Sequence, residues 1–213
     1  MKYCIFMPTT FIIDKNSHLF KSNQLEKTEK RLKQYQQGID KIVELNKNYN
    51  LDIYIADNGD NFDDKINIPE CVKVIKNNPN KLGCYNKGSG IIEIWNNNIE
   101  ILKQYDYIIH FEPRQLLIDN SFIDNFMKNP RSIFTYSKNP NAKRHFNTGL
   151  FICKSMDLIN FITAVTPEML VKNSLSIEYI LHDFYNNFKI NYSVLDKMNL
   201  IWYDTYANKE KIN

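Results

Sequence analysis

The sequence lacks any apolar run long enough to cross a membrane. Such a span needs about 20 consecutive apolar residues, and no stretch of this chain approaches that length. The first residues carry one lysine and a short apolar run that ends at Pro8, which is too short for the core of a secretory signal peptide. We therefore expect a cytoplasmic protein without a transmembrane segment, and peripheral contact with a membrane or a larger assembly stays open.

Cysteine is scarce, and its spacing argues against two common frameworks. The chain has four cysteines, Cys4, Cys71, Cys84 and Cys153. No two of them have the C-x-x-C spacing of many zinc and redox sites, and three lie in or beside apolar runs. The pattern predicts buried free thiols in a reducing compartment rather than a disulfide framework or a zinc site.

The chain also lacks a block of positive charge. Its formal net charge is only +3, and lysine is spread along the sequence, which predicts a solvated surface. The one short basic cluster lies at residues 141–145. A nucleic-acid groove would need clustered Lys and Arg with interleaved aromatic side chains, so no nucleic-acid partner is expected.

What the sequence does contain is an α/β pattern. A chain of 213 residues with 43% hydrophobic content is sufficient for one domain with a full core. The order of elements predicts a single-domain, Rossmann-like fold, in which helices flank a mostly parallel central sheet and a smaller mixed part follows. The predicted strands are residues 2–7, 51–56, 72–76, 107–111, 132–136, 150–154, 190–195 and 200–203. The predicted helices are residues 23–48, 91–104, 122–128, 155–165 and 176–188, with Ser121 and Ser155 as N-caps of the third and fourth.

Three of the predicted strands end in polar or turn residues. The first runs into Pro8-Thr9-Thr10, the second into Asp57-Asn58-Gly59, and the fourth into Glu112-Pro113-Arg114. Ligands of open α/β sheets bind in the crevice outside the carboxyl ends of the strands. These segments therefore predict one edge of the sheet lined for a polar small molecule.

Two of the candidate segments have a structural alternative. Asp57-Asn58-Gly59 is either a turn in which Gly59 takes positive φ, or a site where Asp57 accepts hydrogen bonds from a nucleotide base or ribose. Residues 86–90, which include Asn86, Lys87 and Gly88, are either a flexible helix entrance or a cradle for phosphate or ribose. Their spacing fits neither a Walker loop nor the G-x-G-x-x-G fingerprint.

Glu112 and Arg114 also allow two interpretations. They are either an ion pair at the edge of the sheet, with Arg114 or a lysine as the partner of Glu112, or a pair of groups at a diphosphate. Further along, Glu178 and His182 are four residues apart on one predicted helix face, with Asp183 turned away. The alternative there is an ordinary solvated helix face, and the lone histidines His110 and His182 are predicted to be structural.

The order of these motifs resembles that of nucleotide-sugar glycosyltransferases of the GT-A fold, over roughly residues 3–185. The Pro-Thr turn after the first strand and the Asp-Asn-Gly turn after the second are similar to the family's base-holding turns. The paired Asn-x-Gly loops are matched by Asn80–Gly83 and Asn86-Lys87-Gly88, and Glu112-Pro113-Arg114 stands where the family has Asp-x-Asp. Phe146-Asn147-Thr148-Gly149 resembles a segment that borders the sugar and the acceptor.

The resemblance implies a hexosyltransferase-type activity with a nucleotide-diphosphate donor, UDP-sugar favoured, and a glycan or glycoconjugate hydroxyl as acceptor. Residues 1–118 would form the nucleotide-binding half and residues 119–213 the acceptor half. Glu178 would be the catalytic base with Asp183 behind it, and Asn147, Thr148 and Gly149 would contact the sugar and acceptor. The donor would be bound by Pro8, Thr9, Thr10, Asp57, Asn58, Asn86, Lys87, Gly88, Glu112 and Arg114.

One departure from the family pattern concerns its metal. The family's acidic motif holds a divalent cation, Mn²⁺ or Mg²⁺, against the diphosphate, but the second acidic position here is Arg114. A guanidinium has no lone pair to offer a cation. Either Glu112 holds the metal with water and substrate oxygens, or Arg114 replaces the charge of the metal.

Two other functions remain open at this level. A nucleotidyltransferase on a similar sheet would want a basic, glycine-rich loop directly after the first strand, and the segment from Pro8 to Phe11 has no glycine. A non-catalytic module that binds carbohydrate or nucleic acid is the other alternative. The sequence decides neither between inversion and retention nor whether the chain is one module of a larger glycosylation protein.

Overall fold

A computed structural model of the protein describes residues 1–13, 25–59, 65–77, 80–137, 145–203 and 210–212. Of the basic cluster at residues 141–145, only His145 lies within the described residues. The strands are β1 (Tyr3–Thr9), β2 (Asp52–Asp57), β3 (Val72–Lys76), β4 (Tyr107–Phe111), β5 (Leu116–Leu117), β6 (Ile133–Phe134), β7 (Leu150–Lys154), β8 (Ser193–Val194), β9 (Leu200–Tyr203) and β10 (Glu210–Ile212). The helices are α1 (Leu25–Asn46), α2 (Lys87–Asn97), α3 (Ile99–Leu102), α4 (Ser121–Lys128), α5 (Ser155–Ala164), α6 (Pro167–Lys172) and α7 (Ile177–Asn187).

The central sheet has seven strands in the order β3-β2-β1-β4-β7-β6-β8. Strands β3, β2, β1 and β4 are mutually parallel, and β7 runs antiparallel to both of its neighbours. This arrangement confirms the predicted α/β fold with a mostly parallel sheet. A smaller sheet of three antiparallel strands, β10-β9-β5, accounts for part of the mixed C-terminal half.

Hydrophobic clusters cover both faces of the central sheet. Along β1, Cys4 and Phe6 belong to one cluster while Ile5 and Met7 belong to the other, and all four are fully buried. Alternate residues of a strand point to opposite faces, so a strand with no polar face is a strand covered on both sides. The first cluster packs under α2, α5 and α7, and the second under α1 and α4.

Several predicted boundaries are wrong, most of them at helix starts. Helix α2 begins at Lys87 rather than at residue 91, because the Asn86 side chain accepts a hydrogen bond of 3.2 Å from the Ser89 amide and caps the helix. The predicted helix over residues 91–104 is divided at Asn98 into α2 and α3. Ser121 and Ser155 are the first helical residues rather than the N-caps, which are Asn120 and Lys154.

Other differences concern short elements. The sequence analysis missed α6, which Thr166 caps, and the small strands β5 and β10. The strand predicted over residues 132–136 is only Ile133–Phe134, and that over 190–195 is Ser193–Val194. Strands β3, β4, β7 and β9 have the predicted bounds.

The cysteines are free thiols, as predicted, but they are not all buried. Cys4 and Cys153 lie in the core, and burial raises the pKa of both thiols. Cys71 is exposed and Cys84 is half-buried, because both lie in turns beside the elements rather than inside them. None of the helices in the described ranges is long and apolar enough to cross a membrane.

Candidate functional site

The polar ends of β1, β2 and β4 meet at one edge of the sheet. Thr9 pairs with Asp57, and Phe6 pairs with His110, which sets Pro8 level with Glu112. Since β1 separates β2 from β4, the backbones at Asp57 and Glu112 are about 10 Å apart, two strand spacings. The strand order also reverses here, because the chain places β2 and β3 on one side of β1 and β4 on the other. Such a switch point is where open α/β sheets bind ligands.

Asp57 is engaged in holding the loop after β1. Its Oδ2 accepts hydrogen bonds from the Thr9 hydroxyl at 2.7 Å and the Phe11 amide at 2.9 Å, and its Oδ1 accepts one from the Gly59 amide at 2.9 Å. Burial raises the pKa of this carboxyl, while the three hydrogen bonds oppose that shift. Both oxygens of Asp57 are therefore satisfied by the protein itself.

Thr10 and Asn58 extend this hydrogen-bond network, and we call Thr9, Thr10, Asp57 and Asn58 together the bracket. The side chain of Asn58 accepts a hydrogen bond from the Thr10 hydroxyl at 2.7 Å, and its own amide reaches the Gly90 carbonyl at 3.4 Å. The expectation of a positive φ at Gly59 is wrong, since no glycine of the chain has one. Gly59 is required for space instead, because a Cβ there would lie 2.5 Å from the Ile12 carbonyl oxygen.

The first turn of α2 is tied to the start of α7 and the residues before it. The Asn86 side chain caps α2 and also donates to the Leu175 carbonyl at 2.9 Å. A Cβ on Gly88 would lie 2.8 Å from the Cβ of Ile177, so Gly88 lets α2 pack closely against the start of α7. Asn86 and Gly88 thus fix the position of the helix start, and Lys87 is its first residue.

Two glycines hold the turn that carries Glu112. On one side, a Cβ at Gly38 would lie 2.0 Å from the Pro113 carbonyl oxygen, so α1 crosses the turn in close contact. On the other side, a Cβ at Gly149 would lie 1.9 Å from the Gln115 side-chain nitrogen, and the Glu112 amide donates to the Gly149 carbonyl at 2.8 Å. The turn is therefore packed closely between α1 and β7.

The charges of Lys87, Arg114 and Glu178 all act on the carboxyl of Glu112 in this turn. Burial raises the pKa of Glu112; Lys87 and Arg114 oppose the shift and Glu178 adds to it. Lys87 is accessible to solvent, yet desolvation by the surrounding protein lowers its pKa, and the carboxylates of Glu112 and Glu178 oppose that change. We refer to the space outside the carboxyl ends of β1, β2 and β4, beside which these side chains lie, as the crevice.

Within the described residues, the ion pair considered for Glu112 is absent. Among the described residues, neither Arg114 nor any lysine brings a nitrogen within 4.0 Å of its carboxylate. Lys87 likewise has no described hydrogen bond or ion pair. The Arg114 guanidinium makes one long contact, 3.5 Å from Nη2 to the Gln34 side-chain oxygen, and its Nε is buried without a partner.

Helix α1 supplies two residues that the sequence analysis missed, Arg31 and Gln34. Arg31 donates from Nη2 to the Thr10 carbonyl and to the Tyr35 hydroxyl, each at 2.9 Å. Gln34 is buried and faces Arg114. The sequence contains a signal for these two residues, because Arg31, Gln34 and Gly38 recur at helical spacing along one side of α1.

Two hydroxyl groups hold the carboxylate of Glu178. The Thr148 hydroxyl donates to Glu178 Oε1 at 3.3 Å, and the Ser176 hydroxyl donates to Oε2. The Asn147 side chain accepts from the Gly149 amide at 2.9 Å and shapes the approach to β7. Glu178 thus lies beside the same crevice as Glu112, whose pKa it raises.

Asp183 and the two histidines are not part of this group. Asp183 lies on the next turn of α7, with its carboxylate 3.6 Å from His182 Nδ1, and no described contact connects it to Glu112 or Lys87. His110 is fully buried, stacked on Phe151 with ring centroids 4.4 Å apart. Burial lowers the pKa of His110 to about 3, which keeps its ring neutral.

The side chains at this turn do not fit a protein-held divalent cation. In the part of the chain that the structure describes, no three His, Cys, Asp or Glu side chains are grouped as metal ligands. Glu112 faces Lys87, Arg114 and Arg31, each of which opposes the rise of its pKa. Hard divalent cations are held by oxygen ligands, whereas the groups around this carboxylate are mainly cationic nitrogens.

Comparisons with known proteins find similarity in the fold. No protein-family model and no curated protein sequence matches the chain. A candidate nucleotide-diphospho-sugar transferase from Desulfovibrio desulfuricans G20 superposes over 92% of this chain and 80% of its own, with a TM-score of 0.53 and 9% identity. A glycosyltransferase involved in glycosylation of the PBCV-1 major capsid covers 92% and 83%, with a TM-score of 0.54 and 11% identity.

A third similar structure is named as a nucleotidyltransferase rather than as a sugar transferase. The 2-C-methyl-D-erythritol 4-phosphate cytidylyltransferase of Francisella tularensis superposes over 92% of this chain and 90% of its own, with a TM-score of 0.55 and 8% identity. At such identities the comparison establishes the fold alone, and an activity has to be argued from the residues of the site.

Proposed function

We propose that this chain, which has the GT-A-like fold found in nucleotide-diphospho-sugar transferases, moves a sugar from a nucleotide-diphosphate donor to a hydroxyl of a glycan or glycoconjugate. A UDP-sugar is the donor we favour. The observation that carries the proposal is the group of Lys87, Glu112, Arg114 and Glu178 near the switch point of the sheet, where charges of both signs act on one another and no ion pair joins them among the described residues.

The leaving group of such a reaction is a nucleoside diphosphate. Negative charge develops on it as the bond to the sugar breaks, and preorganised cations stabilise that charge most effectively where water is excluded. Arg114 offers a guanidinium that can bind two phosphate oxygens at once, and Lys87 adds a point charge at the first residue of α2. Glu112 is then free to accept hydrogen bonds from the sugar hydroxyls.

Glu178 is the candidate base. In an inverting transfer, the acceptor oxygen attacks the anomeric carbon, the bond to the diphosphate breaks, and the hydroxyl proton passes to a carboxylate on the acceptor side. Thr148 and Ser176 each donate a hydrogen bond to Glu178 and orient its carboxylate. A retaining transfer needs no base in this position, and there Glu178 would bind the acceptor.

We assign Asp57 to shaping the nucleoside site rather than to direct recognition of the base. Both of its oxygens already accept hydrogen bonds from the loop after β1. The loop that it holds, with Pro8, Thr9 and Thr10, would present backbone groups to the nucleoside. Asn58 joins that loop to α2 through Thr10 and Gly90, so nucleoside and diphosphate would be held by one connected unit.

Nucleotidyl transfer is the second candidate, because cytidylyltransferases share the fold. A triphosphate is commonly cradled by closely spaced backbone N–H groups of a glycine-rich loop. The first glycine of this chain is Gly38, in the middle of α1. The segment between β1 and α1, where such a loop would lie, therefore contains no glycine, and this argues for the glycosyl transfer.

The products separate the two reactions. The protein would be incubated with UDP-, GDP- and CDP-sugars, and separately with nucleoside triphosphates and sugar 1-phosphates. Release of a nucleoside diphosphate from one donor, slow without acceptor and faster with glycans, supports the proposal. Release of pyrophosphate from a triphosphate would replace it with nucleotidyl transfer. A thermal shift with oligosaccharides or oligonucleotides, without turnover of any donor, would indicate a binding module.

A further inference from the structure

The side chain of Arg31 is a third cation of the crevice, and no motif of the sequence accounts for it. It projects from α1, and its Nη2 donates to the Thr10 carbonyl, next to the nucleoside bracket. Its guanidinium carbon lies 5.1 Å from the centre of the Tyr35 ring. Its Nε is buried and has no hydrogen-bond partner among the described residues. The guanidinium is thus fixed in place with donor capacity left over.

Arg31 connects the two halves of the site, because its Nη2 donates to the Thr10 carbonyl beside Asp57, and Gln34, one turn further along α1, contacts Arg114. Its charge acts on the carboxyl of Asp57, where it opposes the rise in pKa, and also on that of Glu112. The same charge repels the guanidinium of Arg114 and the ammonium of Lys87. In a nucleotide sugar the diphosphate joins the nucleoside to the sugar, so a cation between the bracket of Asp57 and the turn of Glu112 lies where the diphosphate would be.

Three cations close together need an anion. Gln34, one turn after Arg31 on α1, receives the long contact from Arg114 and brings the two guanidinium groups to the same side of the turn. Both arginines have a buried Nε that has no hydrogen-bond partner among the described residues. Unpaired like charges in a partly desolvated crevice are unfavourable until an anion neutralises them. The diphosphate of a nucleotide sugar is dianionic, and it gains a further negative charge when the sugar leaves.

We propose that Arg31, Lys87 and Arg114 bind the diphosphate together and that this site works without a divalent cation. The inference rests on the proposed function, since it concerns the diphosphate of the same donor. Arg114 stands where the family has its second acidic residue, and the proposal explains this by charge replacement. Cationic nitrogens from α1, α2 and the turn after β4 supply the positive charge that a metal would otherwise supply. Arg31 is the member of this group that the motifs do not include.

Inorganic pyrophosphate is the direct probe, because it contains the diphosphate without a base or a sugar. Its binding would be measured by titration calorimetry in EDTA. We expect wild-type protein to bind it, and Arg31→Gln to bind about tenfold to hundredfold more weakly, the loss of one or two charge-assisted hydrogen bonds. Arg31→Lys keeps the positive charge but loses the planar guanidinium that can bind two oxygens at once, so it should retain part of the affinity.

The matched control is Lys33→Gln. Lys33 is an exposed residue on the same helix, and its substitution removes the same unit of charge. It should bind pyrophosphate as the wild type does. The unfolding midpoint of each ligand-free variant is measured in parallel. If Arg31→Gln loses binding together with its folded structure, and Arg31→Lys recovers the structure but no affinity, Arg31 supports the loop only and the proposal is wrong.

A second measurement distinguishes this inference from the proposed function. Donor turnover would be followed in EDTA and with added Mn²⁺ or Mg²⁺. Turnover that continues in EDTA supports both proposals. Turnover that requires the metal leaves the glycosyl transfer standing and overturns the three-cation site. Pyrophosphate binding in EDTA without turnover of any nucleotide sugar supports the anion site and overturns the proposed function.

Discussion

Two polar groups lie at the same edge of the sheet, and they differ in whether the protein satisfies them. The first is the bracket of Thr9, Thr10, Asp57 and Asn58, in which both oxygens of the Asp57 carboxylate accept hydrogen bonds from the chain. The second is the charged turn, where Glu112 and Lys87 form no ion pair with any described residue. Two polar segments at the same edge thus differ: the bracket is hydrogen-bonded within the chain, which we call closed, and the charged turn lacks ion pairs among the described residues, which we call open.

This difference indicates which of the two groups stabilises the fold and which one binds a ligand. Buried polar groups that are fully paired contribute stability and rigidity, and their hydrogen-bonding capacity is used up. Charged groups that stay unpaired in a crevice reduce stability, so they indicate a ligand that completes them. We therefore expect substitutions in the bracket to change folding, and substitutions in the charged turn to change turnover.

The sharpest expectation concerns Glu112→Gln. This variant keeps the shape of the side chain and removes its charge, so we expect turnover of the natural donor to fall by about 10²- to 10³-fold, as for other preorganised electrostatic groups. The free energy of unfolding should not fall, because no described side chain depends on the carboxylate. Steady-state kinetics and chemical denaturation measure the two effects.

Glu70→Gln is the control, an exposed glutamate before β3 at the opposite edge of the sheet. It should leave both quantities unchanged. Full activity in Glu112→Gln would show that the charged turn is not the reaction centre.

Asp57→Asn should have the opposite profile. Asparagine has one acceptor oxygen, whereas Asp57 accepts from two donors on one oxygen and a third on the other. At least one buried donor would face an amide NH₂ group, and such a loss destabilises a protein by about 1–3 kcal/mol. Urea denaturation measures the change, with the exposed Asp196→Asn as the matched substitution. An unaltered free energy of unfolding would contradict the structural role of Asp57.

The elements that the sequence predicted well are those set by local patterns. Apolar runs ending in polar residues located β1, β2 and β4 and their common edge, because period and turn chemistry are written in adjacent residues. The pairing of Asp57 with the loop after β1 was not predictable, since it joins residues 46 to 48 positions apart. The sequence could propose Asp57 as a ligand, but it could not tell that its oxygens were already occupied.

The same limit explains Gly38 and Arg31. By helix propensity alone, a glycine such as Gly38 inside a helix is a small cost, while the structure shows that only a residue without Cβ allows α1 to approach the turn of Glu112. That contact brings Arg31 and Gln34 to the crevice. Helical spacing identifies which residues share a face of α1, but which loop that face meets is a tertiary fact that no local pattern contains.

The smallest effect is a pH dependence that belongs to Glu112. Burial raises the pKa of its carboxyl above 4.5. Between 4.5 and the raised value, the folded protein binds a proton that the unfolded chain has released, so stability falls as the pH rises through this window. Glutamine does not titrate, and the variant Glu112→Gln escapes that loss.

The free energies of unfolding of wild type and Glu112→Gln should therefore agree below about pH 4.5 and separate above it, with the variant more stable. The gain should be smaller than the loss expected for Asp57→Asn, because Lys87, Arg114 and Arg31 offset part of the desolvation of Glu112. Urea denaturation of both proteins from about pH 4 to about pH 8 measures the difference. A wild type that is the more stable of the two at neutral pH would mean that the three cations satisfy Glu112 without a ligand, and the distinction between the closed bracket and the open turn would be lost.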